Sequence, residues 1–440
     1  MQAAIIAGGA GMRMGKLSES VPKPMLPIGG KPILEHQVEL LKASGITEIT
    51  LCVRHLSPVI SNHFGNGSCW GVKIDYSVEE NPLGTAGCLR RAFPETDREI
   101  LVLYGDVMVW MNLEEMIRRH QESGADATLA AHSNDHPFDS DLLEVDDEMR
   151  VIGIHPKPHP EGAWLPNLTN AAVYVLGPTL LKIIPTDRPT DCARDLFPEA
   201  LRQGLHLRAY RTAEYIKDAG TQKRYPEVEN DWKSGKIQMM HQKNPRPAVF
   251  LDRDGVLVKE VGHLHRPEQL ELLPGAAEGL KKLNRAGFIT ALVTNQPVLA
   301  RGICTTDELK IIHNKMETLL GREGARLDAI YYCPHHPDRG FPGEIAELKI
   351  SCRCRKPDTG MIEKAQKEFN IDLGKSWMIG DTTVDIETAR RAGIKSILLE
   401  TGYGGKDNRH NVKPVLLCRD LPEAAERIIE KMNTSHPERS

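Results

Sequence analysis

The chain has 440 residues, 56 of them basic and 60 acidic, for a formal net charge of −4. Hydrophobic residues make up 40% and charged residues 26%, the proportions of a globular protein long enough for two or three domains. Nothing in that balance offers a positive surface to nucleic acid, and no apolar run reaches the roughly eighteen residues that a membrane span needs. The nine cysteines are odd in number and unevenly spread, which suits a reducing compartment better than a disulfide scaffold. With no basic, apolar leader at the start, the expectation is a cytoplasmic enzyme without nucleic-acid or membrane partners. Homo-oligomerisation is left open.

The first predicted strand, Ala3–Ala7, runs directly into Gly8-Gly9-Ala10-Gly11-Met12-Arg13. Glycines let main-chain N–H groups close on a phosphate, and Arg13 adds a permanent charge. Alone, the loop reads equally well as a plain turn: Met14 stands where a dinucleotide-binding pattern needs its third glycine, and Gly15-Lys16 is followed by Leu17, which breaks a P-loop. Next comes Pro22-Lys23-Pro24-Met25, where two prolines stiffen the chain around a lysine. Helix Ile33–Ser44 and strand Ile49–Val53 precede the run Glu79-Glu80-Asn81-Pro82-Leu83-Gly84-Thr85-Ala86-Gly87. Strand Glu99–Tyr104 ends at Gly105-Asp106, and helix Leu113–Glu122 with strands Ala127–Ala131 and Ala171–Leu176 leads to Lys217-Asp218-Ala219-Gly220-Thr221. Strands alternating with helices predict sheets covered by helices.

The glycine-rich loop together with Pro-Lys-Pro-Met resembles the sugar-phosphate nucleotidyltransferases, over roughly residues 1–232. The resemblance implies a Rossmann-like mixed sheet with helices on both faces. It implies a nucleotide held by Gly8, Gly9, Gly11, Glu80, Gly84 and Thr85, with Leu83–Gly87 as a loop closing over the base. It places Mg²⁺ on Asp106 and Asp218, Arg13 and Lys23 against the developing charge, and Lys157 and Asn170 at the sugar phosphate. Three departures fall in these motifs: Met12 for the usual Thr or Ser, Pro156 for Glu, and Ala172 where glycine is common.

The stretch from about Tyr225 to Pro247 is polar and ends in Asn244-Pro245-Arg246-Pro247, which marks a domain boundary. Pro226–Gly235 is expected to close the first domain as a short helix, with residues 233–246 as the linker. Beyond it, the apolar run Ala248–Leu251 delivers Asp252 and Asp254 to a turn at Gly255. Two acids one residue apart can share a hard cation, or divide the work of nucleophile and proton carrier; the pair alone reads equally well as a solvated acidic turn. Strand Ile289–Thr294 ends in Thr294-Asn295-Gln296, Cys354-Arg355-Lys356-Pro357 supplies cations, and Trp377–Gly380 ends at Asp381, with Asp385 four residues on. Helices are predicted at Ala276–Ala286, Thr306–Leu320 and Thr359–Phe369, and a strand at Ser396–Leu399. Cys333-Pro334-His335 and Cys352-Arg353-Cys354 form two Cys/His pairs that suit a closed tetrahedral zinc site, although each has one intervening residue where two are commoner; ordinary reduced cysteines are the alternative.

Strand-tip Asp, Thr, Lys and Asp in that order resemble the haloacid dehalogenase superfamily. Within it, residues 247–434 are similar to the heptose 1,7-bisphosphate phosphatases, which, like the histidinol phosphatases, carry a structural zinc loop. The resemblance implies a doubly wound parallel sheet without a large cap. It makes Asp252 the nucleophile and Asp254 the general acid and base. Thr294 and Asn295 would hold the phosphoryl group, Lys356 would neutralise it, and Arg355 would lie beside it. Mg²⁺ would sit on Asp252, Asp381 and the main-chain carbonyl of Asp254; a structural Zn²⁺ would take Cys333, His335, Cys352 and Cys354, but not His336.

The two resemblances combine into one expectation: the second domain removes the 7-phosphate of a D-glycero-D-manno-heptose 1,7-bisphosphate, and the first couples heptose 1-phosphate to a nucleotide. The partners are a nucleoside triphosphate, with GTP favoured, and a phosphorylated heptose. ATP, CTP or dTTP, a hexose phosphate, a histidinol-phosphatase-like second domain and a scaffold with dead sites stay open.

Overall fold

In the computed structural model, which describes residues 1–9 and 20–434, the chain forms two compact units. The first gathers residues 1–132, 141–157 and 169–244; the second gathers 133–140, 158–168 and the chain from Pro245 onward. No helix among the described residues is long and apolar enough to cross a membrane.

The first unit is built on strands β1 (Gln2–Ala7), β2 (Glu48–Val53), β3 (Lys73–Val78), β4 (Ile100–Tyr104), β5 (Val107–Trp110), β6 (Ala127–His132), β7 (Leu142–Val145), β8 (Val151–His155), β9 (Thr169–Leu176), β10 (Leu207–Arg211) and β11 (Tyr215–Asp218). Nine of them form one mixed sheet in the order β8-β7-β9-β4-β1-β2-β3, with β6 pairing β9 and β10. The pairs among β1, β2, β3 and β4 are parallel, whereas β9 runs antiparallel to β4 and β6. β1 thus lies between neighbours reached by crossovers on either side, and its carboxyl end opens at a switch point of the sheet, where ligands bind in such folds. The remaining two strands, β5 and β11, pair antiparallel and set Asp218 opposite Val107, one residue past Asp106.

The second unit has β12 (Ala248–Leu251), β13 (Ile289–Asn295), β14 (Ala329–Cys333), β15 (Trp377–Gly380), β16 (Lys395–Leu399) and β17 (Leu416–Cys418). All pairs are parallel, in the order β14-β13-β12-β15-β16-β17. The central strand, Ala-Val-Phe-Leu, is fully buried, which accounts for an uninterrupted apolar run in place of alternation. Between β12 and β13 the only α-helix is Ala276–Arg285, so no cap domain is inserted there. Helix α1 (Thr306–Arg322) starts at a reciprocal capping box between Thr305 and Glu308 and buries Leu309, Ile312, Met316 and Leu320 along one face. Helix α2 (Thr383–Ala392) starts at a second capping box, Thr382 with Asp385.

The expected linker carries structure of its own. Arg224–Lys233 and Lys236–Met239 are helical, and Ile237 is fully buried against Leu26, Ile28, Met108 and Tyr215. Arg246 is already part of the second unit: its carbonyl accepts from the N–H of Asp372 at 2.9 Å. Ala172, in the place where glycine is common, has φ +57°, the left-handed region, and sits where the β9–β6 register slips.

Candidate active sites

In the second unit, the carboxyl ends of β12 and β15 place Asp252 and Asp381 side by side, and the capping box of α2 adds Asp385. One oxygen from each of these three carboxylates lies within 4.8 Å of the others. Lys356 Nζ reaches Asp252 Oδ2 at 2.8 Å and Asp385 Oδ1 at 2.6 Å, and its side chain is 2% exposed. Burial lowers Lys356, but the two carboxylates outweigh it and hold the ammonium above the ordinary lysine value. Burial, with Asp252 and Asp385 close by, pushes Asp381 up to about 8. Burial also raises Asp385, to about 6, against the pull of Lys356. Three crowded carboxylates are hard oxygen donors of the kind that Mg²⁺ takes. Space is kept by glycine: a Cβ on Gly255 or Gly402, with φ +75° and +58°, would lie 2.2 or 2.1 Å from Asp381 Oδ2.

Asp254 points elsewhere. Its carboxylate accepts from the Arg253 guanidinium at 3.0 Å and from Gln296 Nε2 at 3.3 Å, and it is not one of the clustered acids. The sequence expectation concerned its main-chain carbonyl. Thr294 is buried, and its hydroxyl oxygen accepts from Gln296 at 2.9 Å. The Asn295 side chain reaches Lys356: its amide donates to the Lys356 carbonyl at 3.0 Å and accepts from the Lys356 N–H at 2.9 Å. That side chain clamps the lysine backbone with one of its two amide N–H groups and its carbonyl. Asp385 was visible in sequence but had no role there. Thr382-x-x-Asp385 directly after a strand-end acid was the signal: one oxygen of Asp385 caps the helix, leaving the other for Lys356.

Cys333, His335, Cys352 and Cys354 converge as expected. Cys333 Sγ lies 3.5 Å from Cys352 Sγ and 3.3 Å from Cys354 Sγ, and His335 Nδ1 lies 3.3 Å from Cys354 Sγ. Three thiols and one imidazole at those separations fit a single tetrahedral ion such as Zn²⁺. Burial and the neighbouring thiols hold Cys333 protonated without one. His336 stands apart, its Nδ1 accepting from the Asp338 N–H at 3.2 Å. Arg355 donates to the His335 carbonyl at 3.0 Å, which ties the Cys/His loop to the cations of the site.

In the first unit, a cleft of about 260 Å³ opens beyond β1 and is lined by Gly8, Gly9, Lys23, Glu79, Gly84, Thr85 and Asp106, among others. Lys23 is buried, 3.8 Å from Asp106. A Cβ added to Gly220 would lie 2.7 Å from Asp218 Oδ1, 3.0 Å from Asp106 Oδ2 and 3.1 Å from Lys23 Nζ, so these three groups meet around that glycine. Arg224 Nη1 donates to Asp218 at 2.9 Å and is a cation that sequence reasoning missed. Three expectations change. Of the two adjacent glutamates, Glu79 faces the cleft, buried and raised by that burial; Glu80 is exposed. The segment expected as a loop over the base is the start of helix Gly84–Ala92. The Thr85 hydroxyl is committed to Asp191 and the Cys192 N–H, both at 2.8 Å. Lys157 and Asn170 are not among the residues lining this cleft; the N–H of each bonds Asp141. Gly11 and Arg13 lie outside the described residues.

The nucleotidyl transferase family model matches residues 2–235, and a HAD-hydrolase-like model matches residues 353–424. The D-glycero-D-manno-heptose-1,7-bisphosphate 7-phosphatase of Thermosynechococcus vestitus is 42% identical over 187 residues, which is 41% of this chain and 95% of that protein. The crystal structure of D,D-heptose 1,7-bisphosphate phosphatase from B. bronchiseptica with magnesium and phosphate is 32% identical, covering 42% of this chain and 99% of that one, with TM-score 0.38. The structure of HddC from Yersinia pseudotuberculosis with GMP-PN is 24% identical, covering 52% of this chain and 99% of that one, with TM-score 0.44.

Proposed function

We propose that this chain, which belongs to the nucleotidyl transferase family through its first half and to the heptose-1,7-bisphosphate 7-phosphatases through its second, makes a nucleotide-activated heptose in two steps. In the first step, the second unit hydrolyses the 7-phosphate of D-glycero-D-manno-heptose 1,7-bisphosphate. Asp252 attacks phosphorus, the bond to the sugar oxygen breaks, and Asp254 gives that oxygen a proton. Asp254 then takes a proton from the water that cleaves the aspartyl-phosphate. Lys356 holds Asp252 in line and offsets charge on the phosphoryl oxygens. Mg²⁺ held by Asp252 and Asp381 would supply the remaining neutralisation. The placement of Lys356 between Asp252 and Asp385, buried and 2.8 and 2.6 Å away, carries this reading.

In the second step, heptose 1-phosphate attacks the α-phosphorus of a nucleoside triphosphate and pyrophosphate leaves. Lys23, aimed by its flanking prolines, and the acids Asp106 and Asp218 would organise the phosphates and a second Mg²⁺. GTP is the proposed donor, because the buried Glu79 carboxylate in the cleft can accept two hydrogen bonds from a guanine edge.

The test is a pair of variants with both assays. Asp106→Ala is expected to abolish nucleotidyl transfer and leave phosphatase turnover near normal; Asp252→Ala should do the reverse. Loss of both activities in either folded variant rejects the two-site reading. A screen of GTP, ATP, CTP and dTTP with heptose 1-phosphate and with hexose 1-phosphates settles donor and sugar: preference for another base overturns the Glu79 argument.

A further inference from the structure

The geometry points to Arg253 as the positioning residue for Asp254, with His313 on α1 as its anchor. Arg253 stands between the two acids in sequence, yet it is 1% exposed and among the largest fully buried side chains. A buried guanidinium is tolerated when its N–H groups are used. Nε reaches both Asp254 oxygens, at 3.3 and 3.1 Å, and Nη2 lies 3.0 Å from Oδ2, a fork matched to a carboxylate. Nη1 meets His313 Nε2 at 3.4 Å. Guanidinium has no acceptor, so Nε2 must accept, which fixes the neutral imidazole with its proton on Nδ1. The environment agrees: burial, with Arg253 beside it, pushes His313 down to about 3.

The anchor is rigid because Leu309, Ile312 and Met316 bury the same helix into the core. Asp254 therefore has one side fixed by Arg253, a further bond from Gln296, and a side chain that stays 22% exposed. An aspartate has two side-chain torsions; the fork removes their freedom, so the proton meets the departing oxygen from one direction. Arg253 acts through Asp254 and exchanges no proton with the substrate.

This inference rests on the proposed roles of Asp252 and Asp254, and a leaving-group comparison tests the two separately. The measured quantity is kcat/KM of the full chain, which reports the steps up to loss of the leaving alcohol. Heptose 1,7-bisphosphate needs a proton on its departing oxygen; p-nitrophenyl phosphate leaves as a stable phenolate and does not. Asp254→Asn should lower kcat/KM for the sugar phosphate by about 100-fold or more and for the nitrophenyl ester by far less. If Asp254→Asn shows no such split, or Asp252→Asn still turns over, the underlying reading fails whatever Arg253 does. Given the split, Arg253→Met should reproduce it in smaller form, about 10–50-fold against less than about threefold, and add nothing in the Asp254→Asn background. Equal losses on both substrates, or no loss, overturn the assignment. If Arg253→Met does not fold, the pair at position 313 decides: His313→Leu should give the split and His313→Gln, which keeps an acceptor, should largely abolish it; identical behaviour of the two overturns the anchor.

Discussion

Cys352→Ser tests whether the sulfur cluster is a structural metal site. The donors span Cys333 to Cys354, so an ion bridging them closes a loop of about 20 residues, and the loop entropy removed from the unfolded chain amounts to about 3 kcal/mol. That is a minimum, since direct ligation adds to it. For a unit of about 200 residues each kcal/mol shifts the midpoint by about 2–4 °C, so the second unit should lose at least about 6 °C. Calorimetry of the full chain reads the midpoint, and metal analysis reads the zinc. The variant has a second consequence. Arg355 is held by the His335 carbonyl at 3.0 Å and is the chain neighbour of Lys356, so loosening the loop should lower phosphatase kcat/KM while nucleotidyl transfer holds. Wild-type protein purified without chelator that carries no zinc, or a variant within about 2 °C of wild type, would refute the argument.

Gly220→Ala places a methyl 2.7 Å from Asp218 and 3.0 Å from Asp106, so nucleotidyl transfer should fall by more than about tenfold with phosphatase activity unchanged, measured by paired assays. Ala172→Gly relieves a left-handed alanine and should stabilise the first unit by about 0.5–1 kcal/mol in urea unfolding, the gain being reduced by the extra freedom of glycine in the unfolded chain. His313 has a folded pKa of about 3 against 6.5 in the unfolded chain, so as pH falls below 6.5 the unfolded state takes up a proton that the folded state refuses. Stability of the second unit should therefore drop by up to about 1.4 kcal/mol per pH unit between those two values, and the slope should be shallower by that amount in His313→Gln, read as the difference between their urea midpoints across pH.

The core elements were legible because their patterns are local. Predicted strand Ala248–Leu251 matches β12 to the residue, and predicted helix Thr306–Leu320 falls two residues short of α1, because a buried apolar run and a Thr-x-x-Glu cap need only neighbours in sequence. The Cys/His cluster was legible because each of its two pairs is local. What could not be read was pairing at a distance. No spacing rule says that β11 lies against β5, yet that pair sets Asp218 beside Asp106 and lets Arg224 reach it. The choice between Glu79 and Glu80 is likewise a matter of strand phase: adjacent residues at a strand end face opposite ways, and sequence alone did not say which faced the cleft. The same holds for Arg253, whose neighbours Asp252 and Asp254 drew all the attention in the motif although its own side chain is the buried one.

The two candidate Mg²⁺ sites differ in charge, and that difference has a consequence. In the phosphatase site three carboxylates crowd one ammonium, and burial, with the repulsion from neighbouring carboxylates added to it, raises Asp381 and Asp385. Among the described residues of the transferase site, Asp106 and Asp218 already face Lys23 and Arg224, at 3.8 and 2.9 Å. A balanced set has little pull on a free cation, whereas Mg²⁺ commonly arrives with substrate phosphates and only one or two carboxylates from the protein. The phosphatase unit should therefore bind Mg²⁺ in the absence of substrate, with Asp252→Ala removing that binding in calorimetric titration. The transferase unit should show a Mg²⁺ requirement only together with the triphosphate, seen as Mg²⁺-dependent binding of a non-hydrolysable nucleotide that Asp106→Ala weakens. Substrate-free Mg²⁺ binding that survives Asp252→Ala but disappears in Asp106→Ala would invert the assignment, and with it the view that the surplus of buried negative charge, rather than the number of acids alone, decides which pocket holds a resident ion.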